Sequence, residues 1–203
     1  MDILIGTKNN FKVKEMLWHL EGLEGITIHT MDELPDDINV EEDGKTLKEN
    51  AEKKAREISQ QTDWLVFTSD AGVALPGLGD IWDMTRPKRT VGEQSTERER
   101  VDNLLKIMEG LKGDDRKCVY HVAFALAKKG ELIWSEEIEG ESGMIVEEDH
   151  TENITPNAWM AVVWYYPKLG KTDYQLTPEE RTKIRHQYQK PLKDALQQQI
   201  HKI

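Results

Sequence analysis

The chain has 203 residues, a single cysteine (Cys118) and a formal net charge of −11. That length suits one sizeable domain or two small lobes, and the acidic balance argues against a nucleic acid polymer as partner, because its phosphate backbone calls for a basic face. One cysteine excludes an internal disulfide and agrees with a reducing cytoplasm; no apolar segment follows a basic start as in a signal peptide, and no apolar run approaches the roughly 18 residues of a membrane span.

Asp2–Ile5 reads as a short apolar strand, followed by the polar turn Gly6–Asn10. Phe11–Glu21 has helical spacing, with Val13, Met16, Leu17 and Leu20 on one face. A strand, a polar loop and a helix N-terminus in succession aim backbone N–H groups and the positive end of the helix dipole at the loop, which suits phosphate. The glycine and lysine spacing is not that of a Walker A loop. Ile26–Ile28 reads as a second strand and Asp32–Gly44, containing Pro35 and the run Glu41-Glu42-Asp43, as an acidic loop. Thr46 precedes Glu49 at capping-box spacing, so a helix is expected over Leu47–Gln60 with Ala51, Ala55 and Ile58 inward. Leu65–Thr68 suits a buried strand, which puts Asp70 at its end, where the chain is expected to turn before Gly72.

Leu75–Asp83 is a glycine-rich loop, Arg86–Arg100 a charged and partly exposed stretch, and Val101–Leu111 a helix. Cys118–Leu126 alternates as a strand; Leu132–Trp134 and Glu136–Ile138 read as further strands in a hairpin, with Lys129-Gly130 as a turn. Trp159–Tyr166 reads as a long apolar strand. Thr177-Pro178 opens a helix with proline at its first position, and Pro191 is expected to interrupt or restart it. Mixed strands and helices make the class α/β or α+β.

Three polar groupings carry possible chemistry. Thr7, Asn9 and Lys12 surround the first strand–helix junction; each also suits an ordinary turn with a surface lysine. Glu42 and Asp70, from separate segments, can hold Mg²⁺ against phosphate oxygens, or be a solvated loop acid and a turn aspartate. Lys171 and His186 can serve a ligand or be a turn lysine and an exposed helix histidine. No Cys/His spacing suggests zinc. Trp82, Trp159 and Trp164 are more naturally core than stacking platforms, although an aromatic face suits a base.

Taken in order, the motifs resemble those of the inosine triphosphate pyrophosphatase family, enzymes that hydrolyse deaminated purine nucleoside triphosphates. TKNNFKVKE is similar to the family's T-x-N-x-x-K-x-x-E (Thr7, Asn9, Lys12, Glu15), and ENAEKKA to E-N-A-x-x-K-A (Glu49, Asn50, Ala51, Lys54, Ala55). TSDAGVAL resembles A-D-D-S-G-L-x-V, and Gly170-Lys171-Thr172 and His186 fall in the family's order near the end. The resemblance runs over nearly the whole chain. It implies a single domain over residues 1–203, an elongated α/β fold with a mixed sheet and two lobes flanking a nucleotide cleft, and a cytoplasmic homodimer. Thr7, Asn9, Lys12 and Lys54 would cradle the triphosphate, with Lys171 and His186 also at the substrate. Glu42, or Glu41 where the motifs align one residue earlier, would hold Mg²⁺ together with Asp70, and Asp70 would activate the attacking water.

The departures cluster. Ser69 stands where the family has the first aspartate of D-D-S-G, and Ala71 where it has the serine. Asn157–Val163 replaces the G-F-G-Y-D-P segment, so the aspartate that helps read the base becomes Ala161. Arg185 and Gln187 replace the serine and arginine of S-H-R around His186. The phosphate-handling positions are mostly kept and the base-reading ones mostly lost, which implies altered selectivity. A nucleotide-binding protein of the same fold without catalysis is the alternative that Ser69 and Ala71 keep open.

Overall fold

The computed structural model describes residues 1–34 and 38–203. Among the described residues, seven strands form one sheet in the order β2-β1-β3-β4-β5-β6-β7. They are β1 (Asp2–Ile5), β2 (Thr27–Thr30), β3 (Leu65–Ala74), β4 (Lys117–Lys128), β5 (Glu131–Ile145), β6 (Trp164–Tyr166) and β7 (Lys171–Thr172). The principal helices are α1 (Asn10–Leu20), α2 (Leu47–Ser59), α3 (Pro87–Val91), α4 (Glu97–Ile107), α5 (Trp159–Val163) and α6 (Pro178–Ile200). β1 pairs in parallel with both β2 and β3, whereas β6 pairs antiparallel with β5 and β7. The expected mixed α/β class is therefore observed. No helix among the described residues is long and apolar enough to cross a membrane.

Contacts divide the chain into two units. Unit 1 holds Met1–Ala71, His121–Ile138 and Gln189–Ile203; unit 2 holds Gly72–Tyr120 and Glu139–Tyr188. β1 is apolar enough to be buried on both faces, as a central parallel strand must be. Leu4 and Val66 pack with Met31 and Ile58 on one side of the sheet in unit 1. α2 starts where Thr46 Oγ1 accepts the Glu49 N–H at 3.0 Å, and it buries Leu47, Ala51, Ala55 and Ile58 along one stripe. In unit 2, Trp82, Trp159 and Trp164 join Val101, Leu104 and Val163 in an apolar core, so all three tryptophans act in packing.

Several segments differ from the sequence expectation. Leu132–Trp134 and Glu136–Ile138 are parts of one 15-residue strand, β5. The expected turn at Lys129-Gly130 is present, with φ of 53° and 83°, the left-handed pair that a two-residue hairpin uses. Trp159–Tyr166 is not one strand: its first five residues are the helix α5, and only Trp164–Tyr166 extend. A short apolar run has no period to separate helix from strand, and here packing decided. α6 continues through Pro191 rather than stopping there. Of the expected loop Asp32–Gly44, Met31–Glu33 forms a 3₁₀ turn and residues 38–44 are irregular; Pro35 lies outside the described residues.

The change that matters most is in β3. It runs from Leu65 to Ala74, so Asp70 lies inside a strand and not in a turn.

Candidate functional site

β1 ends beside β3, where Gly6 N donates to Phe67 O at 2.7 Å. A Cβ on Gly6 would lie 2.7 Å from Thr68 Cγ2, so this close approach requires glycine. The chain then turns into α1 through Thr7 and Asn9. Thr7 Oγ1 accepts the Asn9 N–H at 3.2 Å, and Asn9 Oδ1 accepts the Phe11 N–H at 2.9 Å as the helix N-cap. Asn9 thus organises the loop, and Lys12 in the first turn reaches Asp70 Oδ1 at 3.2 Å.

Alternate side chains of β3 point to different neighbours. Ser69 Oγ lies 3.4 Å from Met16 Sδ on α1. Thr68 and Asp70 turn towards α2: Thr68 Oγ1 donates to Ala51 O at 2.7 Å, and Asp70 Oδ2 accepts from Asn50 Nδ2 at 3.0 Å. Asn50 and Lys54 are one helical turn apart and share a face. Asn50 also accepts the Gly44 N–H on Oδ1 at 2.8 Å, which ties the acidic loop to α2. A side chain at Gly44 would collide with that oxygen, since its Cβ would stand 2.6 Å away.

Lys54 Nζ occupies the centre. It donates to Glu42 Oε1 at 2.7 Å and to the Ser69 carbonyl at 2.7 Å, and lies 3.5 Å from Asp70 Oδ1. Asp70 is 4% exposed, while Glu42 lies at the surface. A buried polar group needs hydrogen-bonding and charged partners in place of water, and Lys12, Lys54 and Asn50 supply them to Asp70. The cluster therefore combines a buried anion with two ammonium groups beside a helix N-terminus.

Unit 1 brings together Thr7, Asn9, Lys12, Glu42, Lys54 and Asp70. Asn50 completes the group although sequence reasoning gave it no role; its signal was an amide at a position where α2 buries its neighbours Leu47 and Ala51. Lys171 and His186 belong to unit 2. There Lys171 Nζ is bound by both oxygens of Glu180, at 2.8 and 3.0 Å. Glu180 is itself held at the start of α6, accepting the Thr177 N–H at 2.9 Å. His186 lies half-buried along α6.

A metal at this cluster would take its donors from the Glu42 and Asp70 carboxylates, with the Ser69 carbonyl nearby. Oxygen donors of this kind fit Mg²⁺ or Mn²⁺ and not a soft ion. Among the described residues no group of three or more His, Cys, Asp or Glu is placed to hold a metal. Two carboxylates are what Mg²⁺ takes when water and substrate phosphates complete its shell.

Fold and site define an α/β protein with a buried carboxylate held by two lysines next to a strand–loop–helix junction. Residues 3–195 match the sequence profile of the Ham1 family, and the chain belongs to that family, in agreement with the resemblance its motifs carry. Similar proteins include the dITP/XTP pyrophosphatase of Geobacillus kaustophilus, 31% identical over 189 residues that cover 91% of this chain and 88% of the relative. The dITP/XTP pyrophosphatase of Clostridium perfringens is 31% identical over 196 residues, covering 90% of each chain. The solved structure of a HAM1 protein from Coxiella burnetii superimposes with a TM-score of 0.78 at 27% identity, over 98% of this chain and 99% of that one.

Proposed function

We propose that this protein hydrolyses a nucleoside triphosphate to the monophosphate and pyrophosphate, with Asp70 as the residue that activates water. The observation that carries the reading is the environment of Asp70: a 4%-exposed carboxylate, oriented by Asn50 and flanked by the ammonium groups of Lys12 and Lys54. Family membership and the names of the relatives support the reaction class.

In this reading the triphosphate lies against the Thr7–Lys12 junction, where the α1 N-terminus and Lys12 favour its negative charge. Lys54 adds a second positive charge. Asn50 fixes the rotamer of Asp70, so that one carboxylate oxygen can accept a proton from water as it attacks the phosphorus and pyrophosphate leaves. Glu42 and Asp70 would hold Mg²⁺, which supplies electrophilic polarisation of the phosphoryl oxygens. Lys171 and His186 belong to the proposal as substrate contacts. So do a homodimer and a cytoplasmic location, both supported by the family resemblance of the motifs.

The relatives' names make dITP and XTP the first substrates to try. Base preference is the part of the proposal under most strain, because Ala161, Arg185 and Gln187 replace the residues that the family resemblance assigns to base reading. Trp159 is not a substitute stacking surface, being 5% exposed in the unit 2 core.

The test is pyrophosphate release with Mg²⁺ across ordinary and deaminated nucleoside triphosphates, ribo and deoxy. Turnover that disappears in Asp70→Asn supports the reading. Saturable nucleotide binding without turnover would overturn it in favour of the non-catalytic alternative that Ser69 and Ala71 raise.

A further inference from the structure

We infer that Lys54 is a built-in counter-ion that competes with the divalent cation for Glu42 and Asp70, and that it leaves them when a triphosphate arrives. The inference rests on the proposed role of those two carboxylates as the metal's holders. It goes further by assigning an order to what they bind.

Geometry comes first. Lys54 Nζ is 2.7 Å from Glu42 Oε1 and 3.5 Å from Asp70 Oδ1. Glu42 and Asp70 are the carboxylates that would hold Mg²⁺, and an ammonium lying against one oxygen of each competes with a cation for them. The lysine is also firmly placed: its side chain is 11% exposed, and the Ser69 carbonyl accepts from it at 2.7 Å.

Charge gives the same answer. Glu42 and Asp70 are two acids and Lys12 and Lys54 two bases, so these four side chains balance in formal charge. A bare divalent cation would enter beside two ammonium groups in a partly dehydrated site, where like charges repel strongly. A triphosphate brings negative oxygens to the α1 N-terminus. It offers Lys54 and Lys12 a new partner and frees the carboxylates. The lysines then face phosphate and the carboxylates face metal, with each ion next to its opposite. Metal and triphosphate therefore bind with positive coupling, and that coupling is reciprocal.

The experiment reads Mn²⁺ binding by electron paramagnetic resonance, with no nucleotide present. Lys54→Met and Lys54→Gln should each bind Mn²⁺ about tenfold or more tightly than the wild-type protein, because the competing charge is gone. Lys54→Arg, which keeps the charge, should bind as weakly as wild type. Adding Glu42→Gln to Lys54→Met should abolish the gain. Unchanged or weaker Mn²⁺ binding in the Met and Gln variants would overturn the inference, and so would a gain that survives Glu42→Gln. On the unaltered protein, the Lys54 ¹⁵Nζ resonance should stay in place with Mg²⁺ alone and move with Mg²⁺ plus inorganic tripolyphosphate; movement with Mg²⁺ alone would also overturn it. None of these readouts uses turnover. A protein that releases pyrophosphate but shows no metal competition disproves this inference alone, and one that shows competition without turnover disproves only the proposed reaction.

Discussion

Around Lys54 and around His29, unit 1 sets one basic group between two acids, and water separates the fates of the two clusters. Lys54 stands between Glu42, whose side chain is 48% exposed, and Asp70, whose side chain is 6% exposed, so the burial belongs to Asp70 alone. His29 stands between Glu33, whose Oε2 is 2.7 Å from Nδ1, and Asp2, whose Oδ1 is 3.0 Å from Nε2. The His29 ring also stacks on Trp64, with centroids 3.8 Å apart and planes 6° from parallel. Its two acids are open to solvent, Asp2 at 51% and Glu33 at 47% exposure. Around His29, water can replace either acid at small cost. Around Asp70, a lost partner leaves a buried charge stranded. Similar pairings thus give a site that can hold charge away from water for chemistry and a surface clasp that adjusts to pH.

The largest expected contrast is catalytic. Asp70→Asn keeps the shape of the side chain but removes the proton acceptor, and should lower kcat by about a thousandfold in a pyrophosphate-release assay. His29→Gln should leave kcat unchanged in the same assay; equal losses in the two variants would erase the distinction.

Stability should separate the clusters next. Asp70→Ala leaves Asn50 without its acceptor and Lys12 without its acid, and should cost about 2–4 kcal/mol in urea unfolding. A smaller effect is expected at Thr46, which caps the helix that carries Asn50 and Lys54. Thr46→Ala should cost about 1 kcal/mol, and any activity change should appear in KM and kcat together as α2 frays at its start.

The smallest effect belongs to His29 and depends on pH. Hydrogen bonds to Glu33 and then Asp2 raise the His29 pKa above its ordinary 6.5. A raised value means that its contribution is complete below 6.5 and fades as pH rises through the folded-state value. Bonding to His29 holds Asp2 and Glu33 below their ordinary 3.8 and 4.5. Their contributions are present above those values and vanish as pH falls through the lowered ones. The melting-temperature difference between wild type and His29→Gln should therefore be largest between pH 4.5 and 6.5 and shrink on either side. A difference that stays flat with pH would show that stacking on Trp64, not charge, is what His29 contributes.

Much of the cluster around Asp70 was legible in the chain because its parts are local. Thr46 and Glu49 announce the start of α2, and the motif order groups Lys12, Lys54 and Asp70. Asp70 itself was misplaced: an Asp-Ala-Gly stretch reads as a turn, and only pairing within the sheet carries β3 on to Ala74. The role of Asn50 was hidden for a related reason. An amide inside a charged helix gains significance only when the partner twenty residues away is known to face it. At Trp159–Tyr166 the apolar run gave no period, and the division into α5 and β6 came from packing in unit 2.

The sequence by itself determined the starts of α1, α2 and α6, the turn at Lys129-Gly130 and the mixed class. Caps, left-handed turn residues and motif spacing act over a few positions and need no partner from elsewhere. Tertiary structure alone decided that Asp70 is buried inside a strand, that Ser69 turns to Met16 while Asp70 turns to Asn50, and that Lys54 fills the gap between two carboxylates. Those outcomes depend on which strands pair and on what is shielded from water. Burial is set by the whole fold, and it is burial that turns an aspartate flanked by lysines into a candidate for chemistry.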